Sequence, residues 1–382
     1  MSKAYFMNPG PTPVPERVKR AMSVPLFSHR SQEFGSLFGS TAEKLKYVFQ
    51  TEREVIVLTS SGTGAMEASL QNTLQAGDRV LGVSIGNFGD RFISIAKNRG
   101  LEVDPLRYQE GLAASPEEVL DRVKKESYQA VLITHHETST GTVNDIETIG
   151  KLIGQLEHPP LLIVDAISSL GAIDLKPDQW QLDLVITSSQ KALMTPPGLA
   201  MICISSRAWE KIANNKERPF YYDLQKAREY SRKHQTPYTP ALSLILGLNE
   251  ALSMIEEEGL ERVFRRHLLL MKGLRAGIRA LGLELLVADR LASPAVTTVC
   301  LPRGIAWEEL QQKMKNEHRV TVAGGKKKLA GKVFRIGHLG YFSPEDILAT
   351  LKALEKTLAD LGHSLEKDAG TKAAEKIFQE EI

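Results

Sequence analysis

Between residues 55 and 204 the chain repeats one device, a short run of aliphatic and β-branched residues followed by a stretch with helical signals. The runs are Val55–Thr59, Val80–Ser84, Val103–Leu106, Val131–His135, Leu161–Asp165, Leu184–Ser188 and Ala200–Ile204. Nearly every position in them is apolar, so a sheet built from them must be covered on both faces. Alternation of strand and helix supplies that cover by helical crossovers between parallel strands. Ser115-Pro116-Glu117-Glu118 shows how one such helix starts, with Ser as N-cap, Pro at the first helical position and Glu at the third. The expectation is an α/β fold around a mostly parallel seven-stranded sheet.

Past Ala241 the pattern changes. A long helical stretch runs to Leu281, broken near Gly259, and short strand candidates follow at Leu283–Val287, Val296–Leu301, Val320–Val322 and Val333–Ile336. Helices are expected at Trp307–Asn316 and Pro344–Leu361, giving a smaller α+β C-terminal domain. A chain of 382 residues is long for one core. The division expected is an N-terminal segment (1–20), a large domain (21–255), a small domain (256–363) and a charged tail (364–382). The tail lacks a strong apolar stripe and is expected to be a frayed helix or an extension.

The bulk numbers exclude several classes. A net charge of +2 gives no electrostatic case for nucleic acid as the main partner. Cys203 and Cys300 both lie inside apolar runs and read as small buried hydrophobes, not as a disulfide framework or metal ligands. They cannot supply a nickel–iron or iron–sulfur site, and they fit a reducing compartment. The N-terminus has no apolar core of a signal peptide, and no run reaches the ~18 apolar residues of a membrane span. A soluble, cytoplasmic protein without a membrane partner is expected.

Candidate chemistry gathers in the loops after the strands, where open α/β sheets bind ligands. Ser61-Gly62-Thr63-Gly64 follows Val55–Thr59 and opens a helix, so backbone N–H groups and the Ser61 and Thr63 hydroxyls could hold a phosphate. A plain helix cap with a glycine turn is the alternative. Phe88, between Gly86 and Gly89, could stack on a flat ring or fold onto the core. His135-His136-Glu137 resembles a metal set, but neighbours on an extended chain diverge, and a hydroxyl from Thr138 or Ser139 is the better candidate. Asp165 ends one strand and Lys191 follows another before Pro196-Pro197-Gly198. A lysine amine can form a Schiff base with an aldehyde cofactor, and an aspartate can keep a pyridine nitrogen protonated. Their bland alternatives are a helix N-cap and a surface turn. Arg335, between apolar neighbours, suits a carboxylate or an inter-domain ion pair. Lys326-Lys327-Lys328 reads as a solvated loop, with proximity to an anionic substrate as the lesser alternative.

With these residues in place, the chain resembles the class V (fold type I) aminotransferases, in the alanine–glyoxylate and serine–glyoxylate branch. The likeness begins at Asn8-Pro9-Gly10-Pro11-Thr12-Pro13. It continues through His29-Arg30-Ser31, Ser61–Gly64, Glu137–Gly141, Val164-Asp165-Ala166, Ser189-Gln190-Lys191-Ala192 and Arg335-Ile336-Gly337. The resemblance implies pyridoxal 5'-phosphate as cofactor, with Lys191 as Schiff-base lysine and Asp165 at the ring nitrogen. It also implies Phe88 stacked on the ring, Ser61, Gly62, Thr63 and Gln190 at the phosphate, and Thr138 near the phenolic oxygen. Arg335 would grip the substrate carboxylate, and the segment holding Gly10 would cross the active site. Tyr238 or Thr239 would reach the neighbouring subunit's phosphate, implying a homodimer with shared sites.

The function so implied is transfer of an amino group from a small amino acid, alanine or serine, to a 2-oxo acid, glyoxylate or pyruvate. Donors of the aspartate, phosphonate or ureidoglycine type are the alternative, as is a non-catalytic interaction protein that retains the fold. A cysteine desulfurase would need a cysteine on a mobile loop. A nicotinamide enzyme would need the G-x-G-x-x-G spacing that Ser60–Gly64 lacks.

Overall fold

A computed structural model describes residues 4–380. The strands Val55–Thr59, Leu199–Ile204, Leu184–Ser188, Leu161–Asp165, Ala130–Thr134, Arg79–Ser84 and Glu102–Arg107 lie side by side in that order in one seven-stranded sheet. Neighbours pair parallel except at Leu199–Ile204, which is antiparallel to both flanking strands. The chain between Ser188 and Leu199 contains no helix and doubles straight back. A parallel pairing would have needed a crossover of about a dozen residues or more.

Alternate residues of each strand enter different cores. Val131, Ile133, Leu162 and Val164 pack with helices Gln32–Phe49 and Leu242–Glu258, whereas Leu132, Leu161 and Ile163 pack with Gly62–Thr73 and Asn87–Asn98. Each such side chain contributes about 1.5–3 kcal/mol when buried, so the strand ends that carry the loops are firmly placed. Ser115 caps helix Pro116–Lys125 by accepting from Glu118 N at 3.2 Å, as its sequence signature required.

Gly259, at φ +82°, separates helices Leu242–Glu258 and Leu260–Ala280. The large-domain core runs past residue 255 to Val263 on the second of these helices, and the small-domain core begins at Leu270. The small domain is built on an antiparallel sheet in which Val333–Gly337 lies between Val296–Cys300 and Ala323–Gly324. Leu283–Val287 forms no strand. Leu283 and Val287 are buried in packing, and only Leu285 bridges Val299.

The expected tail is instead part of the fold. Ala369–Glu380 is a helix, and Ala374 and Phe378 are buried in the small-domain core. Phe378 packs so closely on Gly273 of helix Leu260–Ala280 that a Cβ there has no room, and the Gly370 carbonyl rests against Gly277. Gly370, Ala374 and Phe378 recur every fourth residue, a helical stripe hidden by its small members.

The N-terminal segment ties the two bodies together. Tyr5–Phe6 pairs parallel with Val320–Thr321, Met7 is buried in the small-domain core, and Gly337 N donates to Met7 O at 2.7 Å. A few residues on, Thr12 N donates to Gln190 O at 3.1 Å and Thr12 Oγ1 to Lys191 O at 2.8 Å.

Candidate active site

Gly10, Phe88, Thr138, Lys191 and Arg335 line one cavity of about 320 Å³ where the small domain meets the carboxyl ends of the sheet. A wider cleft of about 830 Å³ beside Tyr47 and Gly259 holds none of the expected residues. Lys191 Nζ donates to Pro9 O, and Gly10, at φ +122°, sits so close that a Cβ would collide with the lysine's end. Only glycine combines that φ with that clearance.

Asp165 ends its strand buried and accepts from Ile167 N at 2.9 Å. Burial pushes its carboxyl up to about 7, with Glu137 adding to the rise and Lys191 opposing it. Burial also pushes the Lys191 amine down to about 8 against the pull of Asp165, helped by the positive charges of Arg335, Lys326 and Arg91.

The proposed phosphate loop borders this centre. Ser61 caps helix Gly62–Thr73 by accepting from Gly64 N at 3.3 Å, and Gly62 faces Ile167 and Ser188. Arg91 Nη1 donates to Thr63 Oγ1 at 3.3 Å while its guanidinium lies 4.7 Å from the centre of the Phe88 ring. Thr138 Oγ1 is 2.6 Å from Ser168 Oγ, and the two adjacent histidines diverge. His136 Nδ1 meets Ser168 Oγ at 2.9 Å, and His135 sits edge-on to Trp180. Tyr238 and Thr239 are elsewhere, lining a separate cavity with Tyr221 and Tyr222.

Arg335 is buried and held by backbone carbonyls, donating to Gly324 O at 3.0 and 2.8 Å and to Thr138 O at 3.0 Å. It makes no ion pair among the described residues, so the inter-domain bridge is not formed and its charge is left for an anion. Its guanidinium is pushed down to about 10 by burial, with Glu137 opposing.

Two residues in the site carry more than their sequence context suggested. Glu137 is fully buried. Its carboxylate accepts from Phe88 N at 2.9 Å, Gly89 N at 3.1 Å, Ser139 N at 3.1 Å and Ser139 Oγ at 2.5 Å. It thereby closes the N-terminus of helix Asn87–Asn98 and sets Phe88 in place. Lys326 lines the cavity with its Nζ 5.3 Å from the Phe88 ring centre, while Lys327 and Lys328 point outward. All three lysines are exposed, as a solvated loop requires, and Lys326 borders the cavity as well.

Several buried polar atoms around this centre have no partner among the described residues, including Ser188 Oγ, Gln190 Oε1, His136 Nε2 and Asn8 Oδ1. Asp165 has no cation at ion-pair distance among the described residues, and a protonated pyridine nitrogen would be one. An aldehyde finds a buried amine in Lys191, and a phosphate finds the helix start at Ser61–Thr63 with Arg91 beside it. The donor set fits pyridoxal phosphate.

Fold and site together define a pyridoxal-phosphate transferase. Residues 4–346 match the Aminotransferase class-V family, and the chain belongs to it. It is 43% identical to the soluble hydrogenase small subunit of a Synechococcus strain, over 98% of each chain. It is 36% identical to the serine–glyoxylate aminotransferase of Methylorubrum extorquens, over 98% of this chain and 96% of that one. Among solved structures, the ureidoglycine–glyoxylate aminotransferase of Bacillus subtilis superposes with a TM-score of 0.94 at 32% identity, covering 99% of both chains. The protein is a transaminase with pyridoxal phosphate as its cofactor. The hydrogenase name has no counterpart in its thiols. Burial pushes Cys203 up to about 12, and Cys300 is raised for the same reason.

Proposed function

We propose that this chain moves an amino group from a small amino acid, alanine or serine, to glyoxylate or pyruvate, as a cytoplasmic homodimer with shared sites. The observation that carries it is the cavity in which Lys191, Phe88, Thr138 and Arg335 converge beside buried Asp165. Glyoxylate appears in the names of both the serine and the ureidoglycine relatives, which supports a small acceptor.

Bound pyridoxal phosphate supplies an aldehyde that takes the amino group and a ring that accepts the electrons released at the substrate Cα. Lys191 would hold it through its amine, Ser61, Gly62, Thr63 and Gln190 would hold its phosphate, Phe88 would lie on its ring and Thr138 near its phenolic oxygen. Asp165 would keep the proton on its ring nitrogen. Arg335, rigid on two carbonyls, orients the substrate by its carboxylate and so places the Cα proton toward Lys191. When it is not bonded to the cofactor, the Lys191 amine, lowered to about 8, is partly neutral near neutrality and able to take that proton and return it. Pro9 and Gly10 line the cavity beside the Lys191 amine. In this reading Tyr238 and Thr239, remote from Lys191 in their own chain, face the partner's phosphate.

A half-reaction screen tests this. The yellow holoenzyme should bleach with alanine or serine and recover with glyoxylate or pyruvate. Lys191→Ala should be colourless and slower by roughly a hundred- to ten-thousand-fold. Full-rate transamination by Lys191→Ala would sink the assignment.

A further inference from the structure

Three consecutive lysines leave the strand Ala323–Gly324, and they meet different fates. Lys327 Nζ lies 3.7 Å from Asp90 and Lys328 Nζ 3.3 Å from Glu110, both on the outside. Lys326 is exposed too, but it alone of the three borders the cavity. It lines the cavity with Lys191 and Arg335, rests over the Phe88 ring, and makes no ion pair among the described residues.

Its placement beside Arg335 is built into the fold. Gly324 O accepts two bonds from the Arg335 guanidinium, and Lys326 follows two residues later in the chain. One loop therefore fixes the arginine and delivers the lysine to the same space. Glu137 is the carboxylate whose charge Lys326 feels, but its oxygens are already taken by Phe88 N, Gly89 N and Ser139. The partly desolvated ammonium is pushed down, first by burial and then by the charges of Arg335 and Arg91. A cation so placed is stabilised by any anion that enters.

That anion has two possible sources. The cofactor phosphate already has a cation on its proposed side, because Arg91 reaches Thr63 at the start of helix Gly62–Thr73. A substrate with one carboxylate satisfies Arg335 and leaves Lys326 facing an aromatic ring. We propose that Lys326 is a specificity-determining residue that binds a second carboxylate, so that the donor range extends to dicarboxylic amino acids such as aspartate. This deepens the transaminase reading and rests on it for the reaction, though not for the binding of the anion.

The test uses the holoenzyme, its Lys326→Met and Lys326→Arg variants, and two unreactive probes, succinate and propionate, titrated against the visible band. Wild type should bind succinate at least about tenfold tighter than propionate, Lys326→Met should remove that preference, and Lys326→Arg should retain most of it. In the half-reaction, Lys326→Met should lower the aspartate-to-alanine rate ratio by about tenfold or more with the cofactor band unchanged. Equal loss for both probes, no preference in wild type, or loss of cofactor from Lys326→Met would overturn the assignment, the last by giving Lys326 to the phosphate. If no amino acid bleaches wild type, the transaminase reading falls, while the succinate titration still decides the role of Lys326.

Discussion

Replacing Glu137 by glutamine tests how the site is held, because the change keeps the shape and removes one acceptor and the charge. Oε2 of Glu137 receives Phe88 N at 2.9 Å and Gly89 N at 3.1 Å, and Oε1 receives Ser139 N at 3.1 Å together with Ser139 Oγ. The best orientation of the amide keeps its oxygen on the two helix N–H groups. Ser139 Oγ can then turn a lone pair toward the new NH2, but Ser139 N is stranded at a cost of about 1–3 kcal/mol. The retained bonds also weaken, since a charged acceptor gives roughly twice the strength of a neutral one. Relief from burying a charge offsets part of this, as the upward push on the Glu137 carboxyl shows. The net expectation is a loss of about 2–4 kcal/mol in unfolding free energy. The helix that presents Phe88 loosens with it, and cofactor affinity should fall by about tenfold if 1.4 kcal/mol of that loss is felt at the ring. Urea unfolding of the apoprotein followed by circular dichroism measures the first quantity, and titration with pyridoxal phosphate the second. A Glu137→Gln protein within ~0.5 kcal/mol of wild type, with unchanged cofactor affinity, would refute the argument.

Two further outcomes are expected. Burial holds His135 near a pKa of about 4 and His136, His267 and His338 near about 3, against an ordinary 6.5. The unfolded chain therefore takes up protons that the folded chain refuses. Their contribution is complete above pH 6.5 and is lost as the pH falls toward the folded values, by about 1.4 kcal/mol per pH unit for each histidine. Unfolding free energies at pH 7.5 and pH 5 measure this, and equal values would contradict it. Phe378→Ala should cost about 3–5 kcal/mol, lowering the melting temperature while leaving the catalytic rate of the folded enzyme unchanged, because the ring packs on Gly273 and not near Lys191. A shift below one degree would mean that the last helix is not docked.

The large sheet was readable because its strands, apart from the edge strand Glu102–Arg107 with its Asp104 and Pro105, are apolar at most positions. The reversal of Leu199–Ile204 was not, since strand direction depends on the path of residues 189–198 and not on composition. The C-terminal helix escaped because its buried stripe is a glycine, an alanine and one phenylalanine, whose fit depends on two glycines a hundred residues earlier. Around the site, Lys191, Asp165 and Arg335 were legible from the strands that end beside them or carry them. Glu137 stood out as a neighbour of two histidines and in the run Glu137–Gly141, but its role did not, since a carboxylate that binds backbone N–H groups from another loop leaves no local trace. Lys326 is as exposed as its two neighbours, and only its place at the edge of the cavity, set by the path of the backbone, separates it from them.

The N-terminal segment has a mechanical consequence. The chain passes between the two bodies once near Asn8–Thr12 and again within helix Leu260–Ala280. A body hung on one connection can swing in any direction. Hung on two, it turns most freely about the line that joins them. Pro9 and Gly10 belong to the first of these pivots, so any turn of the domain that carries Arg335 is felt directly at the Lys191 amine.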